Sequence, residues 1–266
     1  MGNCDGVQHH IKLQHGDVGR YVLLPGDPAR SERIAAYFDN KQFLGQNREY
    51  ISFSGTLYDE KVSVVSTGIG GPSTAIAVEE LIAIGADTFI RVGTSGAMQP
   101  WIKTGDIAIV TAAIRDEGSS LHYMPIEFPA VADIDVVMAL CKGARQINIP
   151  YYMGISHSKD SFYGEISPER MPVARRLQDN WKAWVTGGAI CSEMETAAIF
   201  IICAIHGKRA GGVMLMASGN DDAPDNINEK KELDKIFDID RAIRTAVEGL
   251  KILIKQDRGN QQLNPS

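Results

Sequence analysis

The sequence predicts an α/β protein, a single three-layer α/β/α domain built around a mixed β-sheet. Three observations carry that prediction. Short apolar runs that read as buried strands alternate with segments of helical period along the whole chain. No linker and no internal repeat divides it. A length of 266 residues, 44% of them hydrophobic, suffices for one full core. Residues 1–266 are therefore expected to form one domain, with 1–8 and 257–266 as flexible tails.

Tyr21-Val22-Leu23-Leu24 is the first expected strand. Pro25-Gly26-Asp27-Pro28 turns it into a helix reaching about residue 38, because Asp27 suits the N-cap and Pro28 the first helical position. Residues 46–50 lead into alternating Ile51-Ser52-Phe53-Ser54-Gly55, which with Val62-Ser63-Val64-Val65 makes a half-exposed hairpin around Asp59-Glu60. Thr67-Gly68-Ile69-Gly70-Gly71-Pro72-Ser73 then opens a helix through Val78, Leu81 and Ile84. Its glycines lack the GxGxxG spacing and Pro72 starts the helix too early for a dinucleotide turn, so the loop reads as a close-packed turn lining a site. Residues 88–97 form the central strand and 105–111 another; 119–132 is a long connection and 133–146 an amphipathic helix. A strand at 151–156 leads to a loop at 159–165 with exposed aromatics, and 168–185 is helical. Cys191-Ser192-Glu193-Met194-Glu195 runs into an almost wholly apolar helix, 196–205. The last core strand is 211–218, followed by a loop at 219–222, a closing helix at 238–254 and a polar end.

Composition excludes several classes. A net charge of −6 without any basic block argues against a nucleic-acid partner, which would need clustered Lys and Arg. Cys4, Cys141, Cys191 and Cys203 show no CxxC or metal spacing and the histidines no HExxH, so reduced thiols in the cytoplasm are expected. Residues 1–14 hold no apolar core for a signal peptide, and no run reaches the ~18 apolar residues of a membrane span.

The chemistry concentrates around Thr88-Phe89-Ile90-Arg91-Val92-Gly93-Thr94-Ser95-Gly96-Ala97, where a guanidinium interrupts a buried run. Such a charge is costly unless an anion satisfies its fork. Two readings stand: an oxyanion cradle with hydroxyls at the carboxyl end of the strand, or an ion pair with a structural Glu or Asp. Arg30, in the first turn of the first helix, opposes the helix dipole, a penalty that an anionic ligand would reverse. Glu193 and Glu195 enter their helix either as simple N-terminal charge or as carboxylates facing hydroxyls in a cleft.

Taken together, Pro25-Gly26-Asp27-Pro28 with Arg30, Asn47-Arg48-Glu49-Tyr50, Ser66-Thr67-Gly68-Ile69-Gly70-Gly71-Pro72-Ser73, Arg91-Val92-Gly93-Thr94, Glu127-Phe128-Pro129-Ala130-Val131-Ala132-Asp133 and Ser192-Glu193-Met194-Glu195 resemble the nucleoside phosphorylase-I family, in particular its uridine-acting members. The resemblance covers nearly the whole length, from His10 to the closing helix, and implies a sheet that is partly barrel-like. It implies that Gly26, Arg30, Arg91 and Thr94 hold inorganic phosphate as co-substrate, with Arg48 supplied by a neighbouring subunit. His10 of the neighbour, Glu193, Met194 and Glu195 would hold the ribose. Ser95, Gly96, Phe162, Glu165, Arg170 and Ser218 would surround the base. Arg91, Glu195, Arg30 and Arg48 would be the catalytic set. The implied assembly is a homo-oligomer, a dimer with shared sites arranged as a trimer of dimers. No cofactor is implied beyond a potassium ion at the dimer interface, with Glu49, Ile69 and Ser73 matching its ligands.

Phosphorolysis fits these residue types, because phosphate displaces a base through a transition state of oxocarbenium character and no protein nucleophile is needed. The absence of a GxSxG elbow, catalytic Cys or metal motif agrees with that. The base pocket departs from the family: Glu165 stands where relatives present a Gln. A carboxylate accepts only, which suits N3–H of uracil and equally N1–H of a 6-oxopurine. The expected reaction is phosphate-dependent release of uracil from uridine, with a purine nucleoside phosphorylase as the alternative. A nucleosidase or a non-catalytic nucleoside-binding protein is further off.

Overall fold

The computed structural model describes residues 6–218 and 238–263, with side chains to residue 260. Its described strands form one sheet. β1 (Tyr21–Pro25) lies between β4 (Glu60–Val65) and β5 (Thr88–Ala97), parallel to both; β3 (Tyr50–Leu57) and β2 (Asp39–Asn47) extend the β4 side as antiparallel neighbours. On the other side β5 pairs in parallel with β10 (Arg209–Ser218), β10 antiparallel with β6 (Ile107–Asp116), and β6 in parallel with β8 (Tyr151–Lys159). The short β9 (Cys191–Glu193) joins β8 back to β5. Five strands thus close on themselves, giving the partly barrel-like sheet, and β7 (Ala130–Val131) hangs on β6.

Strand alternation sorts the core into two clusters. Phe89 faces the side where α2 (Gly71–Ala83) and α6 (Thr196–Ile205) pack, with Val78, Leu81, Ile199 and Phe200. Ile90 and Val92 face α1 (Pro28–Ala35), α3 (Ile134–Gln146) and the closing helix α7 (Asp240–Leu263), with Ile34, Leu140 and Val247. The layers are helix, sheet, helix. Asp27 and Asp133 cap α1 and α3 through Ala29 N–H (2.9 Å) and Asp135 N–H (3.0 Å).

Several expectations are corrected. β2 is a strand that the sequence hides, because it is an exposed edge of polar residues with no apolar alternation. The 51–65 hairpin is largely buried, not half-exposed, and turns at Tyr58-Asp59, both at positive φ. β6 and β8 run on to Asp116 and Lys159, so polar residues expected in loops stand on strands. Between them and α6, a short helix, α4 (Phe162–Ile166), is followed by a 3-10 turn (Pro168–Arg170) and α5 (Ala174–Thr186), not one helix. The tail expected at 257–266 is helical to Leu263. Residues 1–5 and 264–266 of the expected tails and the loop at 219–222 lie outside the described residues, while Gln8 N–H donates to the Leu13 carbonyl (2.7 Å).

Asp257 explains why α7 continues: it accepts two hydrogen bonds from Arg209 (2.9 and 2.6 Å) and one from the Tyr21 hydroxyl (2.6 Å). Burial opposes its charge, but Arg209 and Tyr21 hold its carboxyl below the usual range. A carboxylate depressed in the fold stabilises above its unfolded pKa and loses that stabilisation as pH falls through its folded value. Asp257→Asn is therefore expected to lower Tm by several degrees at pH 7, with the gap to wild type closing below about pH 4. Melting curves across that range check it.

Cys141, Cys191 and Cys203 are buried and unbridged, and burial pushes the Cys191 thiol up to about 12. Among the described residues no helix is long and apolar enough to cross a membrane.

Candidate active site

Along β5, β1 is paired as far as Val92 and β9 begins only at Gly96. Gly93, Thr94 and Ser95 therefore have a sheet neighbour on the β10 side alone, and in the gap opens a cavity of about 940 Å³. Ligands of α/β sheets collect where neighbouring strands part in this way. A Cβ at Gly93 would stand 2.6 Å from the Met214 sulfur and 3.0 Å from the Arg91 guanidinium, so a side chain there would have to displace both.

The first helix delivers one end of the cavity. Gly26 and Asp27 form the wall at the α1 N-terminus, and Arg30 reaches across to donate to the Val92 carbonyl (3.0 Å). Burial, and then the proximity of Arg91, drives Arg30 down to about 10: two cations meet with too little negative charge between them. Arg91 points to the α2/α6 face and is 4% exposed. Its Nε donates to Glu193 (2.9 Å) and its Nη2 pairs with Glu195. The ion-pair reading of Arg91 holds, with Glu193 and Glu195 as its acids, and the same side chain lines the cavity. Burial works against its charge, yet Glu195 and Glu193 hold it above its ordinary value.

The two carboxylates differ. Glu193 accepts from Arg91, from the N–H groups of Glu195 and Thr196 (2.9 Å each) and from the Ser158 hydroxyl, so it caps α6. Burial opposes its charge, but Arg91 and these donors keep it low. Glu195 accepts from Arg91 and from Gly70 N–H at the start of α2 (2.6 Å). Burial raises its carboxyl and the adjacent Glu193 adds to that, against the pull of Arg91. Gly68, at φ 71°, lets the preceding loop pass Glu49, whose side chain lies 2.7 Å from where a Cβ would be.

Gly26, Arg30, Glu49, Ile69, Arg91, Thr94, Ser95, Gly96, Phe162, Glu165, Glu193, Met194, Glu195 and Ser218 all line this one cavity. Arg48, His10, Ser73 and Arg170 do not. Arg48 is exposed at positive φ in the β2–β3 turn. His10 lines a separate cavity and sits 2.6 Å from Glu80. Arg170, expected at the base, is exposed, because the break at Ser167-Pro168 turns the chain away. Asp221 and Asp222 lie outside the described residues.

Sequence reasoning missed a charged cluster at the other end. Lys159, 5% exposed, pairs with Glu165 (2.9 Å) and donates to the Ser192 hydroxyl (2.8 Å), which itself donates to Glu165. His157 stands 3.0 Å from Ser192 and 3.1 Å from Asp116, against the Trp184 ring (centroids 4.1 Å apart). Asp116 and Glu165 raise His157 despite its burial. Burial opposes the Glu165 charge, but His157, Lys159 and Ser192 keep it below the usual range. The signal was four polar residues in succession, Ser156-His157-Ser158-Lys159, ending an otherwise mixed strand.

A cavity with paired arginines at one end and a carboxylate–lysine pair at the other can take an anion beside a polar, flat-ringed ligand. The chain is 48% identical over 250 residues to a uridine phosphorylase of Treponema pallidum, covering 94% of this chain and 95% of that one. It is 35% identical to a guanosine phosphorylase of Halorubrum lacusprofundi, covering 92% and 99%. The crystal structure of uridine phosphorylase from Vibrio fischeri superposes with a TM-score of 0.83 at 30% identity, covering 96% and 100%. Residues 20–253 match the family model described as "Phosphorylase superfamily". The parted sheet with its facing arginines is thus carried by a chain that belongs to the phosphorylase superfamily.

Proposed function

We propose that this protein catalyses the phosphate-dependent cleavage of the N-glycosidic bond of uridine, giving uracil and ribose 1-phosphate, as a pentosyltransferase. The observation that carries it is the convergence of Arg30 and Arg91 on one cavity wall, with Arg30 lacking a carboxylate partner among the described contacts. In this reading Gly26, Arg30, Arg91 and Thr94 hold the phosphate dianion, and Arg48 arrives from a neighbouring subunit. Phosphate below C1′ stabilises the developing cation and is spared the entropy cost of encounter. Glu195 anchors the ribose hydroxyls over Met194, with His10 of a neighbour at the 5′ end. Glu193, whose oxygens are engaged, acts by holding Arg91 and α6 in place. Ser95, Gly96, Phe162, Glu165 and Ser218 surround the base.

In the same reading the protein is a homo-oligomer, a dimer with shared sites assembled as a trimer of dimers, and acts in the cytoplasm. Supporting this, the chain's own cavity holds two arginines, while Arg48 and His10 face elsewhere. A potassium ion at the subunit interface fits the donor set. Ser73 Oγ lies 3.3 Å from the Ile69 carbonyl, and Glu49 and Ser73 both flank Gly68; all three donors are oxygens, the kind a hard cation takes. The ion would supply charge beside the phosphate end; the residues named above bind and orient the substrates.

The test is release of base from uridine, thymidine, inosine and guanosine with and without inorganic phosphate. Uracil release that requires phosphate is expected; release without phosphate would make the protein a nucleosidase and overturn the reading. A 6-oxopurine nucleoside remains the second reading, favoured by the acceptor-only chemistry of Glu165 and the similarity to a guanosine phosphorylase. Glu165→Gln is expected to shift the uridine-to-inosine ratio of kcat/KM by about 5- to 150-fold, since leaving a buried polar group unpaired costs about 1–3 kcal/mol. An unchanged ratio would remove Glu165 from base selection.

A further inference from the structure

A second cavity, of about 460 Å³, shares only Lys159 and Glu165 with the one described above. Its volume lies in the range of small-ligand sites. One side of it is α5. Leu177, Trp181 and Trp184 are spaced as a single helical stripe and all line the cavity, while no residue of α5 is buried, so the stripe covers a void instead of a packed core. Trp184 is covered on one side by the His157 ring. Trp181 meets that ring edge to face, with centroids 6.1 Å apart, and has no stacked ring among the described contacts. The polar lining has acceptors from the strand ends and donors from the helix. Asp116 Oδ2 faces His157 Nε2 (3.1 Å) and Asp160 Oδ2 accepts from Gly118 N–H (2.8 Å), whereas neither Oδ1 has a donor among the described contacts. Arg176 and Gln178, on α5, bring N–H groups to the same cavity.

We infer that this cavity is a second binding site, taking an amino-substituted nucleobase of the adenine type. The ring lies against Trp181, its exocyclic amino group donates to the remaining carboxylate oxygens of Asp116 and Asp160, and its ring nitrogens accept from Gln178 or Arg176. Base–aromatic stacking supplies the affinity and the carboxylates, which only accept, select a ligand that brings donors. An uncharged ligand suits the site because its buried charges already offset one another: His157 stands between Asp116 and Glu165, and Lys159 pairs with Glu165. The first cavity selects differently. Glu165 lines it as an acceptor, which suits a ring N–H and opposes the bare N1 of adenine. The two cavities therefore divide bases by hydrogen-bonding pattern, and the second site holds whether or not the first performs phosphorolysis.

The test is equilibrium dialysis of adenine against the full-length protein without phosphate, with tryptophan fluorescence recorded on the same samples. One adenine is expected per chain, with quenched emission and no displacement by saturating uridine. Purine, the same ring without the amino group, is expected to bind at least about tenfold more weakly, as follows from losing hydrogen bonds to a charged acceptor. Trp181→Leu is expected to weaken adenine about 5- to 150-fold, the loss of one stacking partner. No binding, equal binding of purine, displacement by uridine, or a folded Trp181→Leu that binds like wild type overturns the site. Should that variant not fold, the wild-type comparison of adenine, purine and uridine decides alone.

Discussion

Arg91→Ala is expected to lower phosphorolysis by at least two to three orders of magnitude and to destabilise the protein as well. Arg91 is the partner of two carboxylates that are each 3% exposed, Glu193 and Glu195. Removing one side of a buried ion pair costs about 3–5 kcal/mol, and each ~1.4 kcal/mol is tenfold in rate. Glu193 also caps α6, so the misplaced charge propagates to the helix that carries Glu195. The double variant Arg91→Ala/Glu195→Gln separates the two effects: Tm is expected to recover in part, because one orphaned charge is gone, while activity stays low. Near-normal turnover of the single variant would take Arg91 out of the site.

Arg30→Met is expected to behave in the opposite way. Arg30 is half-buried beside a like charge, and burial with that repulsion pulls it down to about 10. Its loss forfeits one hydrogen bond to the Val92 carbonyl but relieves the repulsion, so Tm should move little. The KM for phosphate is expected to rise about 10- to 100-fold, the range of a charge-assisted hydrogen bond of ~1.5–3 kcal/mol. Strain of this kind, kept for function at the expense of stability, is common in active sites. Phosphate titrations and melting curves on the same preparation check both halves, and an unchanged KM would place phosphate elsewhere.

The arginine end of the cavity was legible in the sequence because its residues sit on regular elements with strong local signals. Asp27-Pro28 announces a helix start, and a guanidinium inside Phe89-Ile90-Arg91-Val92 announces an exception to burial. The end with Lys159 and His157 was not legible. Lys159 and His157 belong to a strand whose run of polar residues read as a loop, and they become significant only when β9 brings Ser192 beside them. β9 itself is three residues long, too short for any periodicity. That Arg170 stands outside the cavity was hidden for a similar reason, since nothing local revealed that the chain turns at Ser167-Pro168. Which carboxylate does what, Glu193 as cap and Glu195 at the cavity, depends on distances that spacing alone cannot supply.

The closed ring of strands bears on how the molecule can move. Over Gly212–Leu215, β10 is hydrogen-bonded to β5 on one flank and β6 on the other, and the circuit through β8 and β9 returns to β5. A strand with no free edge cannot peel away from one side, so its amides exchange with solvent only when the whole domain unfolds. Deuterium should therefore enter these backbone positions last. Any breathing that turnover demands must come from the connecting segments above, notably 159–173, with the floor beneath staying still.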